Sequence, residues 1–532
     1  MTNQPLDWAP LGASLVLILA VIPGCSTGGP RPVAAYARPD GPTLERFGVS
    51  GFEPGQPAVS LIADPKLVDP VLPITGAEAA QEDVVPIEFS EVLRSVERQF
   101  PLILAALEEV EIAAGTRLSA EGGFDTRVKA DSFLGLDGFY ENETAKILIE
   151  QPIEAGGATF FGGYKVGAGD FPIWEGGLKT NEGGEFSGGV RLPLLAGRSI
   201  DARRLALWQS RLAEAQAEPI VLEKRLAATR KAALTYWKWV ATTQKLRIAE
   251  RLLLLAQDRQ AVIELRVENG DLADIAVDEN RRLLVERESI LIQSSREVQQ
   301  SAIELSLYLR GEDGQPRMPR LAEAPEALPS PFDPGSTIAD GDIERALMLR
   351  PEVRALQIER QRLELDLAKA ENDLLPKLSL GVAGSRDTGG AVSNPDDKGP
   401  FELDAFVDFD LPLQRRSAKG KVQVTEAKIR KLDRELQFAQ DRVVADVRDA
   451  EVALRQTWEI IGLAQQNVAL AGVLEQAERL AFSEGESDLL RVNIRERRTA
   501  SAASSLVDVT AEFFRAFVDY RASVGVPYDE VK

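Results

Sequence analysis

The sequence contains no histidine and only one cysteine in 532 residues. The first absence removes Ser-His-Asp and Cys-His catalysis, histidine metal sites and imidazole pH switching together. The second rules out an internal disulfide. A phosphate-binding P-loop and a C-x-x-C pair are also missing. Paired carboxylates remain for acid–base chemistry, but among 83 Asp and Glu such pairs arise by chance. Aromatic residues are scarce, at 6%. Beyond residue 25 no apolar run approaches the ~20 residues of a membrane-spanning helix. Basic residues are outnumbered 62 to 83, and a net charge of −21 repels nucleic-acid phosphate. Neither an enzyme nor a nucleic-acid binder is indicated, and no cofactor or metal is expected.

What is present begins with "LGASLVLILAVIPG" (Leu11 to Gly24), which has the length of a signal-peptide core. Gly24 directly precedes the lone Cys25. This junction resembles a bacterial lipobox, where the signal is cut and the cysteine takes lipid. Pro23 stands where a small residue is usual, and no Lys or Arg precedes Arg31. The alternative is a buried apolar segment with an incidental thiol. From Ser26 to about Val85 the chain is rich in Pro, Gly and Ala, without sustained periodicity, and reads as an extended tether.

The rest is built twice. A helix lies near a proline in "RQFPLILAALEEVEIA" (Pro101) and again in "LRPEVRALQIERQRLELDLAKAE" (Pro351). A strand ends in Leu-Pro-Leu at Leu192 and again at Leu411. A glycine turn separates helical stretches in "VENGDLADIAVDENRR" (Gly270) and "FSEGESDLLRVNIRERR" (Gly485). The expected divisions are a signal at 1–24, a lipidated tether at 25–85 and a first repeat at 86–310. A linker at 311–340, a second repeat at 341–525 and a tail at 526–532 follow.

Helical periodicity from about Ser199 to Asn269 predicts a column of ~105 Å at 1.5 Å per residue. The return helix, Leu272 to Arg310, covers about half that length, and an opening helix from Ser90 to Gly115 supplies the remainder when stacked on it. Ser417 to Glu484, Ser487 to Ser523 and Asp342 to Asp373 repeat the arrangement. Apolar positions three and four apart give these helices coiled-coil faces. Pro219 is expected to kink or break the first column.

The strands alternate. In "FELDAFVDFDLPL", Phe401, Leu403, Ala405, Val407 and Phe409 point one way. Glu402, Asp404, Asp408 and Asp410 point the other, with Phe406 the exception. A membrane β-barrel strand with a watery lumen and a sheet on a soluble core both read this way. A small strand set cannot close a barrel alone, so a membrane sheet requires several copies.

The ordered, duplicated set resembles the outer-membrane efflux protein family, the TolC-like channels of multidrug efflux and type I secretion. "RALMLRPEVRALQIERQRLELDLAKAENDLLPKLSLGVAGS" (Arg345 to Ser385) carries the likeness most fully, and the likeness covers about residues 86 to 525. The resemblance implies a mixed α and β fold, with tandem hairpins forming an α-barrel and strands contributing to a β-barrel shared by a homotrimer. It also implies a periplasmic adaptor protein meeting the tips, an inner-membrane transporter acting through it, and outer-membrane lipid around the barrel. The tips are then Gly270, Asp271, Leu272 and Asp274, with Gly485, Glu486, Ser487 and Asp488. Glu402, Asp404, Asp408 and Asp410 become barrel-lumen residues.

Two departures are visible. Relatives carry aspartates one and two turns beyond the second glycine, where this chain has Arg491 and Ile494. Glu484 and Arg491 are the gate candidates left. The first strand region, with Phe160, Phe161, Tyr164, Phe171 and Trp174, is much longer than the second. Longer or additional strands, an extracellular loop and an aromatic girdle are expected there. The expected function is a passive outer-membrane exit duct. A lipid-anchored periplasmic coiled-coil scaffold without a pore is the rival.

Overall fold

The computed structural model describes residues 85–171, 180–390 and 401–526. The expected signal peptide, Cys25, the tether up to residue 84, Trp174 and the tail from residue 527 lie outside these residues.

Two helices set the length. α3 (Ala202–Glu268) and α7 (Arg416–Ser483), of 67 and 68 residues, each run about 100 Å. α4 (Ile275–Ser306) returns along α3, and α8 (Leu489–Val524) returns along α7. The rest of each column is lined by a broken helix. α1 (Phe89–Gln99) and α2 (Pro101–Glu121) lie beside α3. α5 (Asp342–Leu349) and α6 (Pro351–Asn372) lie beside α7.

One opening helix per half is expected from periodicity, and the structure splits each in two. The breaks fall at Phe100 and Arg350, whose ψ angles of 120° and 123° are extended. Each residue precedes a proline, whose ring disfavours helical geometry before it yet suits the first helical position. α2 also runs past Gly115 to Glu121. Pro219 behaves in the opposite way: α3 continues unbroken through it, with the proline buried. The lost backbone hydrogen bond costs about 3 kcal/mol, and packing along the column offsets it.

Each return helix ends at one of the breaks. The Ser95 hydroxyl accepts the Arg310 N–H at 2.7 Å, and Phe100 stacks on Tyr308 at 5.4 Å. In the second half, Arg350 donates to the Ala522 and Ser523 carbonyls at 3.4 and 3.3 Å. The main core sits at this level. Trp237 stacks on Phe514 at 4.6 Å, and Trp239 and Phe513 are fully buried. Phe332, Leu328 and Ile338 pack on this core, so the 311–340 segment read as a linker is part of the packed unit.

At the end of α3 and α7 away from the glycine turns stands one antiparallel sheet. Its order is β1 (Arg127–Leu134), β2 (Asn142–Pro152), β3 (Thr159–Gly169), β4 (Glu185–Pro193), β5 (Lys377–Asp387) and β6 (Glu402–Asp410). The first half supplies four strands and the second supplies two, which accounts for the extra length of the first strand region. β4 and β5 join the halves.

Candidate functional site

Residues paired across neighbouring strands share a face, so the register sorts the whole sheet. One row reads Val128, Ile149, Gly162, Gly188, Gly384 and Leu403. A row on the opposite face reads Arg127, Glu150, Phe161, Gly189, Ala383 and Asp404. Continued through the sheet, one face is largely apolar, its only charges Glu143 and Arg386 at the end farthest from the helices, and the other carries the remaining charges. Glu402, Asp404, Asp408 and Asp410 all fall on the polar face, as does Phe406.

The polar face is less one-sided than β6 alone. Lys129 pairs with Glu150 at 2.7 Å, Lys165 with Glu185 at 2.8 Å and Lys377 with Asp410 at 3.0 Å. Asp408 accepts the Ser379 hydroxyl at 3.0 Å. Glu402 and Asp404 have no ion pair among the described residues. Phe406 breaks the alternation for a cross-strand reason. A Cβ on Gly381, directly opposite, would overlap its ring, and the Arg191 guanidinium lies 5.5 Å from the ring centre. Phe161 covers Gly189 in the same manner. Phe160 and Tyr164 stand on the apolar face, and Phe171 follows β3.

At the far end of the hairpins the two glycine turns have the same geometry. Gly270 N–H donates to the Val267 carbonyl at 3.0 Å, and Asp271 N–H to Arg266 at 2.8 Å. Gly485 N–H donates to Phe482 at 3.2 Å, and Glu486 N–H to Ala481 at 2.8 Å. This paired closure of a helix end requires a left-handed residue, and both glycines comply, with φ of 79° and 80°. Leu272 and Phe482 both pack on the buried cluster of Ile263, Ala276 and Leu489, so the two tips touch. Arg266 lies 5.3 Å from the Phe482 ring centre.

The acidic residues at the turns have local roles or face solvent. Asp271, Asp274, Glu484 and Glu486 are exposed. Asp488 caps α8, accepting the Arg491 N–H at 2.8 Å, and its carboxylate lies 3.7 Å from the Arg491 guanidinium. Ser487 donates to Glu478, and with Arg495 close by this holds the Glu478 carboxyl below its usual range.

One residue with no place among the sequence-derived candidates stands out. The Glu496 side chain on α8 is completely buried. It pairs with Arg259 of α3, with Arg287 of α4 at 2.7 Å and with Arg479 of α7 at 3.1 Å. A single carboxylate thus ties all four helices about 16 Å from Gly485. Arg259 also donates to Asn493 at 2.7 Å. Burial pulls the Arg259 guanidinium down and the Glu496 carboxylate opposes this. The available signal was positional: Leu489, Val492, Asn493 and Glu496 form one buried stripe at helical spacing.

No family model and no curated protein matches the chain. Solved structures do. The outer-membrane channel OprN is 14% identical, with a TM-score of 0.59 over 82% of this chain and 89% of that one. The open state of the Neisseria gonorrhoeae MtrE outer-membrane channel is 13% identical, with a TM-score of 0.59 over 82% and 89%. The Campylobacter jejuni CmeC outer-membrane channel is 13% identical, with a TM-score of 0.57 over 82% and 85%. The fold is that of these channels.

Gly485→Ala forces a side chain into the left-handed region, although no atom lies within 4 Å of the new Cβ. It should destabilise the protein by about 1–2 kcal/mol, whereas Gly472→Ala inside α7 should stabilise by about 0.5–1 kcal/mol; chaotrope unfolding compares the two. Glu496→Gln leaves three guanidinium groups without their shared anion and should cost about 3–5 kcal/mol. Limited proteolysis of residues 484–488 should accelerate in that variant and remain unchanged in Glu486→Gln.

Proposed function

We propose that three copies of this chain form a passive exit duct through the outer membrane, serving a tripartite efflux or type I secretion system. The carrying observation is the continuous sheet with one apolar face, raised on helices about 100 Å long. Its apolar face meets lipid and its polar face lines water. The tips around Gly270 and Gly485 receive a periplasmic adaptor, which couples the duct to an energised inner-membrane transporter. The lipobox-like junction at Cys25 adds a lipid anchor to the hold of the barrel.

Two observations favour several copies over a pore-free scaffold. Apolar side chains remain exposed along the helices, among them Leu118 on α2, Ile292 on α4, and Phe438 and Leu463 on α7. The two open sheet edges also differ in sign on the polar face. At the end nearest the helices β1 carries Arg127 and Lys129, and β6 carries Asp408 and Asp410. β1 runs away from the helices and β6 returns toward them, so β6 of one copy meets β1 of the next in antiparallel fashion with opposite charges facing.

The purified protein should conduct in planar bilayers, with a preference for cations that Glu402→Lys combined with Asp404→Lys weakens or reverses. A detergent-extracted monomer without conductance would leave only the scaffold reading. At the seam, Arg127→Glu should weaken the trimer, seen as a lower melting temperature of the assembly. Adding Asp408→Arg should restore it, since the swap rebuilds the opposite-charge contact with sign exchanged.

A further inference from the structure

The apolar face of the sheet has a gap. Gly162, Gly188 and Gly384 sit in one register row on β3, β4 and β5 and floor a groove of about 510 Å³. Ile147, Ile149, Tyr164, Phe186 and Phe401 form its walls. The backbone does not require these glycines, since none has positive φ. A Cβ on Gly162 or Gly188 would meet only a carbonyl oxygen, at 3.6 or 3.7 Å, so larger strand residues would fit. At Gly384 the missing side chain makes room for the Phe401 ring.

Arg386 closes one end of the groove. Paired with Phe186, it lies on the apolar face and is the only cation that the described strands place there. Its side chain is exposed and makes no ion pair or hydrogen bond with a described residue. It stands next to the last residue of β5, at the end of the sheet farthest from the helices. A guanidinium facing lipid is costly at the bilayer midplane and tolerated near the headgroups, where a phosphate can pair with it.

We propose that this groove binds one phosphate-bearing membrane lipid. An acyl chain lies over the three glycines, and Arg386 holds the headgroup phosphate. Removing side chains from the floor lets hydrocarbon reach the backbone between aromatic walls, and the cation selects a lipid over a plain hydrocarbon. The proposal rests on the reading that the sheet closes into a membrane barrel.

Gly188→Val fills the floor, and Arg386→Gln removes the charge; neither changes a polar-face residue. Native mass spectrometry of the purified assembly can be titrated with phosphatidylglycerol, with diacylglycerol of the same chains and with inorganic phosphate. Phosphatidylglycerol should bind more tightly than diacylglycerol. Arg386→Gln should weaken it about tenfold, the scale of one charge-assisted hydrogen bond, and Gly188→Val by about the same factor, the scale of about two CH2 groups left unburied. Inorganic phosphate should not compete, and bilayer conductance should be unchanged in both variants. Conducting variants that retain phosphatidylglycerol as well as the wild type would overturn the site alone, as would its displacement by inorganic phosphate. Loss of conductance in the wild type would instead remove the barrel reading itself, so the two failures are distinguishable.

Discussion

Hydrocarbon offers backbone N–H and C=O groups no partner, and the sheet leaves two rows of them open, along β1 and β6. In the proposed membrane setting, much else in the molecule answers to that constraint. In water such edges invite uncontrolled pairing. In a membrane they can only be paired with each other, and within one chain they stand at opposite ends of the strand order. Each strand that leaves the helices is matched by one that returns, so in the proposed assembly the edges of neighbouring copies would meet in antiparallel fashion. In the proposed assembly oligomerisation then completes the fold, and the apolar residues left bare on α2, α4 and α7 extend the same dependence to the helices.

Duplication supplies a frame in which each half solves the same problems with the same local devices. Proline breaks the opening helix at Phe100 and at Arg350, and each break receives the end of a return helix. Glycine ends the long helix at Gly270 and at Gly485 with matching pairs of hydrogen bonds. The halves are bound together at three levels. The β4–β5 ladder joins them in the sheet, and the aromatic core around Trp237 and Phe514 joins them midway. Glu496 joins them near the tips. The last contact differs in kind: a buried carboxylate shared among three guanidinium groups is strong only while its geometry is intact. Movement of one hairpin against the other would therefore act on Glu496 more sharply than on the apolar contacts around Leu272.

The sequence made the repeated order, the long columns, the turns and the alternation of β6 legible, because each depends on residues close together in the chain. The helix breaks were readable too, once the residue before each proline is considered rather than the proline itself. Pro219 misled because a local penalty was weighed without the packing of the column around it. β3 was obscure because Gly162, Gly163, Gly167 and Gly169 dilute its alternation. Its logic lies across strands, where Phe161 covers Gly189 and Phe406 covers Gly381. Glu496 did not stand out among the many acidic residues, since only the approach of α3, α4 and α7 makes it a buried one.

The additional hairpin in the first half has a consequence for girth. In the proposed trimer three copies of six strands would make eighteen, and at about 4.8 Å between strands tilted by about 40° they would span a perimeter of about 113 Å. Each copy also brings four helical columns, and twelve columns spaced at about 9–10 Å span about 110–120 Å. The two rings would then be of about equal circumference. With only two strands from each half the strand ring would be a third smaller, and the duct would have to taper sharply where helix gives way to sheet. In the proposed trimer, six strands per copy would let the bore run from the helices into the membrane at nearly constant width.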